Sequence, residues 1–266
     1  MLRAALNFVS SIASSKEPLH YRLYLELKKR LYRRKYKLIY RPEYGYCINK
    51  ALGLAKGLGY QKVSVLEFGV SVGNGILNIE HYCEIAKRTF GIDFEIYGFD
   101  TGIGLPPLTD FRDGLFRWSE GDAVMDKEAL EKRLKYSELI IGDVEDTVPA
   151  FACRDIAPIA CMLFDLDIYT ATTNSLKLLD LKDTTKFLPR VELYFDDIMI
   201  SEYLTEQLAI NEFNLGHETM KISREYKGGS FDGRKDRLHV CHLFNHPEYN
   251  TETRSKGFKK LDRLIV

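Results

Sequence analysis

The sequence predicts an α/β domain built on a mainly parallel β-sheet. From residue 63 onward, short apolar and β-branched runs alternate with segments of helical length, which is typical of parallel strands joined by helices. Glycines and acidic residues stand directly after these runs, at the end of the sheet where open parallel sheets bind ligands. The 266 residues are enough for one such domain with additions.

Composition excludes several classes of protein. The chain is 45% hydrophobic and 29% charged with a formal net charge of +0, which argues against disorder and against a general attraction to nucleic acid. No apolar run reaches the roughly 18 residues that span a bilayer. Five scattered cysteines without a Cys-x-x-Cys pair favour reduced thiols, so we expect a cytoplasmic protein.

The first part of the chain, residues 1–60, is predicted to form a helical cap. Residues 1–15 are interpreted as an amphipathic helix rather than a targeting peptide. Leu23, Leu27 and Leu31 follow at helical spacing, and a further helix is predicted over about residues 47–58.

The segment 22–41 is strongly basic, with nine Lys or Arg residues against one acid, Glu26. Such a run is typical of a solvated helix face. It also fits an anionic membrane surface, a charged acceptor or, because tyrosines are interleaved with the basic residues, a homodimer contact through the N-terminal helices. Nucleic acid is not expected as a partner, because the rest of the chain is not basic.

The predicted main domain covers residues 61–246 and its parallel strands are five apolar runs. These are VSVLEF (63–68), FEIYGF (94–99), ELII (138–141), APIACMLF (157–164) and VELYF (191–195). MKISREY (220–226) and RLHVCHLF (237–244) are predicted to pair as antiparallel strands, with an Asp-Gly turn signal between them. Residues 247–266 are predicted to form a C-terminal tail.

A glycine-rich segment, EFGVSVGNG (67–75), follows the first predicted strand. Gly69, Gly73 and Gly75 lack a Cβ and so allow the backbone to approach a ligand closely. Their spacing differs from the G-x-G-x-x-G of dinucleotide dehydrogenases, and a tight turn without a ligand is the alternative.

Asp100 and Asp143 follow the second and third strands. At these positions one carboxylate could bind both hydroxyls of a ribose and the other an adenine amino group. Each aspartate could instead cap a helix. Residues that could bind a ligand follow three successive strands, and this favours a bound nucleoside over three unrelated helix caps or turns.

Asp165 and Asp167 follow the fourth strand, and Asp196 and Asp197 follow the fifth. Two carboxylates ~4 Å apart repel by roughly 4 kcal/mol at an effective dielectric constant near 20, so a cation or a retained proton must compensate. An all-oxygen set suits Mg²⁺, Mn²⁺ or Ca²⁺ and not Zn²⁺. Helix caps and surface acids without a metal are the alternative.

Five motifs together resemble the class I S-adenosylmethionine-dependent methyltransferases. They are EFGV, GFDTGIGLPP, GDVEDTVPAF, FDLDIYTATTNSL and YFDDIM, in this order between residues 63 and 199. More narrowly, they are similar to the macrocin O-methyltransferase group, which methylates sugar hydroxyls of macrolides. The resemblance covers about half of the chain and implies a Rossmann-like fold.

The resemblance also implies roles for individual residues on the cofactor side of the site. Glu67, Gly69 and Gly73 would surround the methionine part of S-adenosylmethionine. Asp100 would bind the ribose of the cofactor, and Asp143 its adenine.

On the acceptor side, the resemblance implies that Asp165, Asp196 and Asp197 bind a divalent cation, Mg²⁺ by expectation. Asp167, like Asp165, is a candidate catalytic residue. It could act as a base, as could a histidine, or it could be an acid that supports the metal ligands without binding the cation itself. The predicted reaction is metal-assisted O-methylation of a small acceptor such as a sugar or another natural product. A glycosyltransferase that uses the Asp-x-Asp motif and a non-catalytic cofactor-binding protein are the alternatives.

Overall fold

The computed structural model describes residues 19–198, 200–225 and 234–251. The chain forms two compact units, residues 1–40 and residues 41–266. The helix predicted over residues 1–15, most of the turn predicted between the last two strands, and most of the predicted tail lie outside the described residues.

In the first unit, helix α1 (Leu19–Tyr36) is described. The basic residues of its last turn suit the negative end of the helix dipole. Leu23, Leu27 and Leu31 are 45%, 57% and 56% exposed, so the apolar row that the spacing predicts faces outward. Within the described residues, no helix has the length and apolar character that crossing a membrane requires.

The second unit alternates helices and strands. Its helices are α2 (Pro42–Leu58), α3 (Asn74–Phe90), α4 (Lys127–Glu131), α5 (Val144–Ala152), α6 (Tyr169–Leu176) and α7 (Thr205–Gly216). Its strands are β1 (Lys62–Phe68), β2 (Asp93–Asp100), β3 (Ser137–Ile141), β4 (Ile159–Phe164), β5 (Phe187–Phe195), β6 (Met220–Arg224) and β7 (Leu238–Leu243).

These strands form one sheet in the order β3-β2-β1-β4-β5-β7-β6. The first five strands run parallel, and β6 and β7 pair as antiparallel strands, as predicted. Strand β7 is also antiparallel to β5, which joins the pair to the parallel strands. Every residue of β4 is buried, because it is a central strand with both faces covered. The chain crosses from β3 to β4 over β1 and β2, and this reversal of strand order places a crevice at the carboxyl ends of β1 and β4.

A row of four phenylalanine rings crosses the sheet just beneath those carboxyl ends. Phe99, Phe68, Phe164 and Phe195 stack in sequence, with ring centroids 4.7, 5.0 and 4.6 Å apart. Such aromatic pairs contribute about 0.5–1.5 kcal/mol each beyond the burial of their area. The rings therefore form a rigid base for the residues that follow the strands.

Helix α2 begins at Pro42, earlier than the predicted start near residue 47. Proline fixes φ and lacks an N–H that the first helical turn would leave unpaired, so it is favoured at this position. The helix is buried and packs against α3 and the central strands, and the chain divides after Tyr40, within the stretch predicted as one cap.

Candidate active site

A cavity of about 230 Å³ opens at the carboxyl ends of the central strands. Residues that follow four of these strands line it, among them Gly69, Ser71, Asp100, Asp143 and Asp165. These residues are far apart in the sequence, but they lie together in space because the carboxyl ends of the parallel strands meet at one edge of the sheet.

Glu67 is the penultimate residue of β1, and it is 1% exposed. Its Oε1 accepts a hydrogen bond from the Tyr44 hydroxyl at 3.2 Å, and its Oε2 has no hydrogen-bond partner among the described residues. Burial raises the pKa of Glu67 well above its usual value. A buried carboxylate oxygen without a partner, at the wall of a cavity, fits a ligand that carries a positive or hydrogen-bond-donating group.

The glycines of the segment after β1 make room for neighbouring protein atoms. A Cβ on Gly69 would lie 2.0 Å from the carbonyl oxygen of Asp165, and one on Gly73 would lie 2.2 Å from a methyl carbon of Leu130. Both glycines also have φ angles above +80°, a region that side chains disfavour. Gly69 lines the cavity, whereas Gly73 is not among the described residues that line it.

Asp100 holds the glycine-rich turn in place. Its Oδ2 accepts the backbone N–H groups of Val70 and Ser71 at 2.9 and 2.8 Å, and its Oδ1 accepts that of Gly102 at 2.7 Å. A carboxylate has about four lone-pair directions, so it retains capacity for a further donor from the cavity that it lines.

Asp143 caps helix α5, the alternative that the sequence left open for this residue. Its side chain accepts the backbone N–H of Glu145 at 2.8 Å. The residue also lines the cavity, so the cap and a ligand contact are compatible.

Asp165, Asp196 and Asp197, here called the aspartate cluster, each offer an oxygen within 4.8 Å of the other two. The hydrogen-bond ladder of the sheet continues one residue past the strands, because Asp165 N donates to Phe68 O at 2.8 Å and Asp196 N to Phe164 O at 3.1 Å. Strand β5 ends at Phe195, so both Asp196 and Asp197 lie beyond the strict alternation of sides. The oxygen donors suit a hard divalent cation.

Each carboxylate of the aspartate cluster faces an arginine. Arg41 Nη1 lies 3.0 Å from Asp165 Oδ2 and Arg117 Nη2 lies 3.7 Å from Asp197 Oδ1. Arg237 pairs with Asp196. Arg41 also donates to the Tyr44 hydroxyl at 3.0 Å, which links the cluster to Glu67.

The environment changes the protonation of these carboxylates in different directions. Burial raises the pKa of Asp165 to about 6, against the charge of Arg41. Burial and then the neighbouring Asp197 raise the pKa of Asp167 to about 9. Burial alone would raise the pKa of Asp196, but the Tyr194 hydroxyl and Arg237 together bring it below its usual value. Carboxylates with such different pKa values in one crevice are typical of functional sites.

Asp167 lines the cavity in a strained backbone conformation, with φ at +65°. The left-handed conformation costs a residue with a side chain about 1–2 kcal/mol of free energy, and such strain is concentrated at functional sites.

Glu206 lies behind Asp197 and is fully buried. Its Oε2 accepts the backbone N–H of Asp197 at 2.7 Å, and Oε1 has no hydrogen-bond partner within the described part of the chain. Burial, with Asp197 second, raises its pKa well above the usual value. Glu206 therefore fixes the backbone that carries Asp197.

The histidines have other contacts. His217 pairs with Asp180 at 2.7 Å, and His242 contacts the Tyr249 hydroxyl at 2.8 Å. His239 is buried in β7 against Phe195. None of the described cavity-lining residues is a histidine, which leaves Asp167 as the candidate base there.

Arg41, Tyr44, Arg117, Glu206 and Arg237 shape the site but were not singled out from the sequence as site residues. Arg41 is 124 residues from Asp165, and Arg237 is 41 residues from Asp196. The repulsion predicted among the carboxylates did require a compensating cation, and these arginines supply positive charge there.

Comparison with known proteins gives structural matches only: no family model matches the chain, and no curated protein does. Similar solved structures include CalS11, described as calicheamicin methyltransferase, with 19% identity, a TM-score of 0.54, and coverage of 92% of this chain and 93% of that chain. The apo structure of CalS11, described as TDP-rhamnose 3'-O-methyltransferase, gives 18% identity, a TM-score of 0.46, and coverage of 92% of this chain and 94% of that chain.

The plantazolicin methyltransferase BpumL in complex with SAH gives 14% identity, a TM-score of 0.35, and coverage of 81% of this chain and 87% of that chain. At these identities a likeness shows the fold alone. Together with the strand order, the match at a TM-score of 0.54 shows the predicted Rossmann-like α/β fold.

Proposed function

We propose that this chain is an S-adenosylmethionine-dependent methyltransferase that methylates a hydroxyl of a small acceptor, a sugar or another natural product, with the help of a divalent cation. The supporting observation is the cavity beside the glycine-rich turn, which adjoins three carboxylates within 4.8 Å of one another. A nucleoside cofactor and a cation site side by side suit methyl transfer to oxygen.

Three acidic residues of the cavity wall fit the cofactor. The unpartnered Oε2 of Glu67 would accept from the ammonium group of the methionine part. Asp100 would accept from the ribose hydroxyls, and Asp143 from the adenine amino group. Gly69 keeps the backbone between these acids free of side-chain atoms.

The aspartate cluster fits Mg²⁺, because carboxylate oxygens are the ligands that this ion prefers. Bound S-adenosylmethionine would supply an electrophilic methyl group on a sulfonium, and a cation held by the aspartate cluster would lower the pKa of the acceptor hydroxyl. Asp165 and Asp197 would orient the acceptor beside the cavity, and orientation supplies much of the acceleration. Glu206 keeps Asp197 in position through its backbone N–H.

Asp167 would take the proton of the acceptor hydroxyl. It lines the cavity together with Asp165 and Ala171, and its backbone lies in the left-handed region. A carboxylate with a raised pKa is a stronger base than an ordinary aspartate. A cation bound by the aspartate cluster would favour the ionised form of Asp167, which the reaction requires.

The described activity of CalS11, methyl transfer in calicheamicin chemistry, agrees with this proposal. We do not propose the same acceptor for this chain, because the similarity to CalS11 concerns the fold only. A homodimer through the N-terminal helices is part of the proposal, on the basis of the exposed leucine row of α1.

Melting shifts and a transfer assay test the function. S-adenosylhomocysteine at a hundred times its dissociation constant should stabilise the protein by about 2.7 kcal/mol. Labelled methyl groups should pass from S-adenosylmethionine to hydroxylated acceptors in Mg²⁺ and not in excess EDTA. A melting shift with UDP-sugars and none with S-adenosylhomocysteine would instead indicate glycosyl transfer. Cofactor binding without transfer to a broad panel of acceptors would indicate a non-catalytic protein.

A further inference from the structure

Three arginines surround the aspartate cluster, and they come from three separate parts of the second unit. Arg41 precedes α2, Arg117 lies in the connection between β2 and α4, and Arg237 directly precedes β7. Their side chains are 22%, 50% and 22% exposed, so each keeps a face toward solvent.

The three arginines retain hydrogen-bond donors. Arg41 uses Nη1 for both Tyr44 and Asp165. Arg237 likewise uses Nη1 for both Tyr194 and Asp196. Within the described part of the chain, Nη2 and Nε of both side chains have no hydrogen-bond partner. A guanidinium fork with free adjacent donors matches two oxygens of a phosphate or carboxylate.

Charge counting indicates which anion the three arginines would take. Three carboxylates and three guanidinium groups balance each other. A divalent cation in the aspartate cluster therefore adds two positive charges to a half-buried site, and a dianion beside it would restore neutrality. Ionised Asp167 would offset only one of these two charges, so a neutral sugar hydroxyl alone would leave a net positive charge.

We propose that the acceptor carries a phosphate or diphosphate group, and that Arg41, Arg117 and Arg237 bind this group while the aspartate cluster binds the cation. The inference rests on the proposed function, because it needs the cation site. It adds the chemical class of the acceptor: a hydroxylated phosphate ester such as a sugar phosphate or a nucleoside diphosphate sugar. The three arginines then act as specificity-determining residues.

Trp118 provides the measurement. It is the only tryptophan of the chain, and the Arg117 guanidinium lies 5.0 Å from its ring centroid. In protein saturated with S-adenosylhomocysteine, titration with inorganic phosphate at constant ionic strength should change the Trp118 fluorescence and saturate. Binding should be at least about tenfold tighter in Mg²⁺ than in EDTA, the effect of one charge-assisted contact.

Matched variants separate the site from general charge effects. Arg117→Gln and Arg237→Gln should each weaken phosphate binding by about tenfold, as the loss of a charge-assisted hydrogen bond does. Arg154→Gln removes an arginine whose exposed partner is Glu138, and it should leave phosphate binding unchanged. Circular dichroism verifies that each variant is folded.

The cation site is measured independently, by electron paramagnetic resonance of Mn²⁺. Normal Mn²⁺ and S-adenosylhomocysteine binding, combined with phosphate binding that ignores Mg²⁺ or both arginine substitutions, would overturn this inference alone. Absence of Mn²⁺ binding would overturn both this inference and the proposed cation assistance.

Two calorimetric arms distinguish the source of the phosphate. Glucose 1-phosphate and UDP-glucose are each compared with glucose in Mg²⁺. Tighter binding of either phosphate ester supports the inference and identifies a monoester or a diphosphate acceptor. Binding of both esters no tighter than that of glucose contradicts it.

Discussion

Gly75 determines where the Glu67 carboxylate can lie. A Cβ at this position would come within 1.7 Å of Glu67 Oε1 and 3.1 Å of the Tyr44 ring. Glu67 is buried, so its carboxylate has little room to move. The helix gains nothing from glycine here, since alanine is favoured in a helix by about 1 kcal/mol. Glycine is therefore required at position 75 by the space that Glu67 occupies and not by the helix.

We expect Gly75→Ala to weaken S-adenosylhomocysteine binding by a factor of about ten or more, because overpacking of this kind costs about 1–3 kcal/mol and falls on the carboxylate that would hold the cofactor. Isothermal calorimetry measures the effect. Gly216→Ala is the control, because a Cβ there meets no atom within 4 Å. Equal cofactor affinity in both variants would remove Glu67 from the cofactor site.

Asp165→Asn separates the cation from the cofactor. The substitution removes one of three charges from the aspartate cluster while keeping the shape of the side chain. We expect Mn²⁺ binding and methyl transfer to fall by about a hundredfold, as the loss of a buried charged partner of about 3 kcal/mol predicts, and cofactor affinity to stay within about twofold.

The control for Asp165→Asn is Asp93→Asn, which removes an exposed carboxylate paired with Lys87. Exposed pairs contribute little, so this variant should keep wild-type Mn²⁺ binding. If Asp165→Asn also binds Mn²⁺ normally, the aspartate cluster does not hold the cation.

A site residue can be predicted from the sequence when the residues next to it in the chain form a recognisable pattern. Asp165 and Asp196 each follow a buried run directly, so the pattern of the strand marks them. Arg41 and Arg237 carry no such mark. They reach the cluster only through the folded sheet, from 124 and 41 residues away from their partners, and surface arginines are common.

At the scale of elements, the alternation of apolar runs and helical segments predicted every parallel strand. The signal is strongest for β1, β4 and β5, which are almost wholly buried, whereas the edge strand β3 is only partly buried and is marked mainly by its place in the alternation. The start of α2 was predicted too late. Its first turn, from Pro42, has mixed polar and apolar residues, and its burial comes from packing in the folded unit.

Helix α1 carries a row of exposed leucines that a second copy of the chain could cover. Leu23, Leu27 and Leu31 lie at i, i+4 spacing on one face, and each is about half exposed. We expect Leu27→Glu to convert a dimer into a monomer, since it places a charge at the centre of the row. Light scattering coupled to gel filtration measures the mass.

Arg33→Glu is the matched control, because it places the same side chain on an exposed position of α1 away from the leucine row. It should keep the wild-type mass. A monomeric wild-type protein, or a dimer in the Leu27→Glu variant, would contradict dimerisation through α1.

At the scale of the whole molecule, sheet order is what assembles the site. Because β4 lies between β1 and β5, the residues that follow these three strands meet at one edge of the sheet. The same packing buries ionisable groups that are not among the described residues lining the cavity, among them His239 in β7 and Glu192 in β5. These two groups make the stability of the fold depend on pH in opposite directions.

Burial lowers the pKa of His239 from 6.5 to about 4. Between these values the unfolded chain binds the proton and the folded chain does not, so this group destabilises the fold as the pH falls below about 6.5. Burial raises the pKa of Glu192 from 4.5 to about 7, despite Lys50 at 3.1 Å. Its contribution is fully present below about pH 4.5 and is lost as the pH rises through 7.

We therefore expect the two single variants to diverge on acidification. Relative to wild type, His239→Gln should gain about 2 kcal/mol of unfolding free energy between pH 7.5 and pH 5, because the penalty of protonating His239 in the unfolded chain is removed. Glu192→Gln should lose a similar amount over the same interval. Urea unfolding at both pH values measures the difference, with His20→Gln, on the exposed surface of α1, as the control. Parallel pH profiles of His239→Gln and wild type would mean that the buried imidazole takes up its proton in the folded protein, against the environment that β7 gives it.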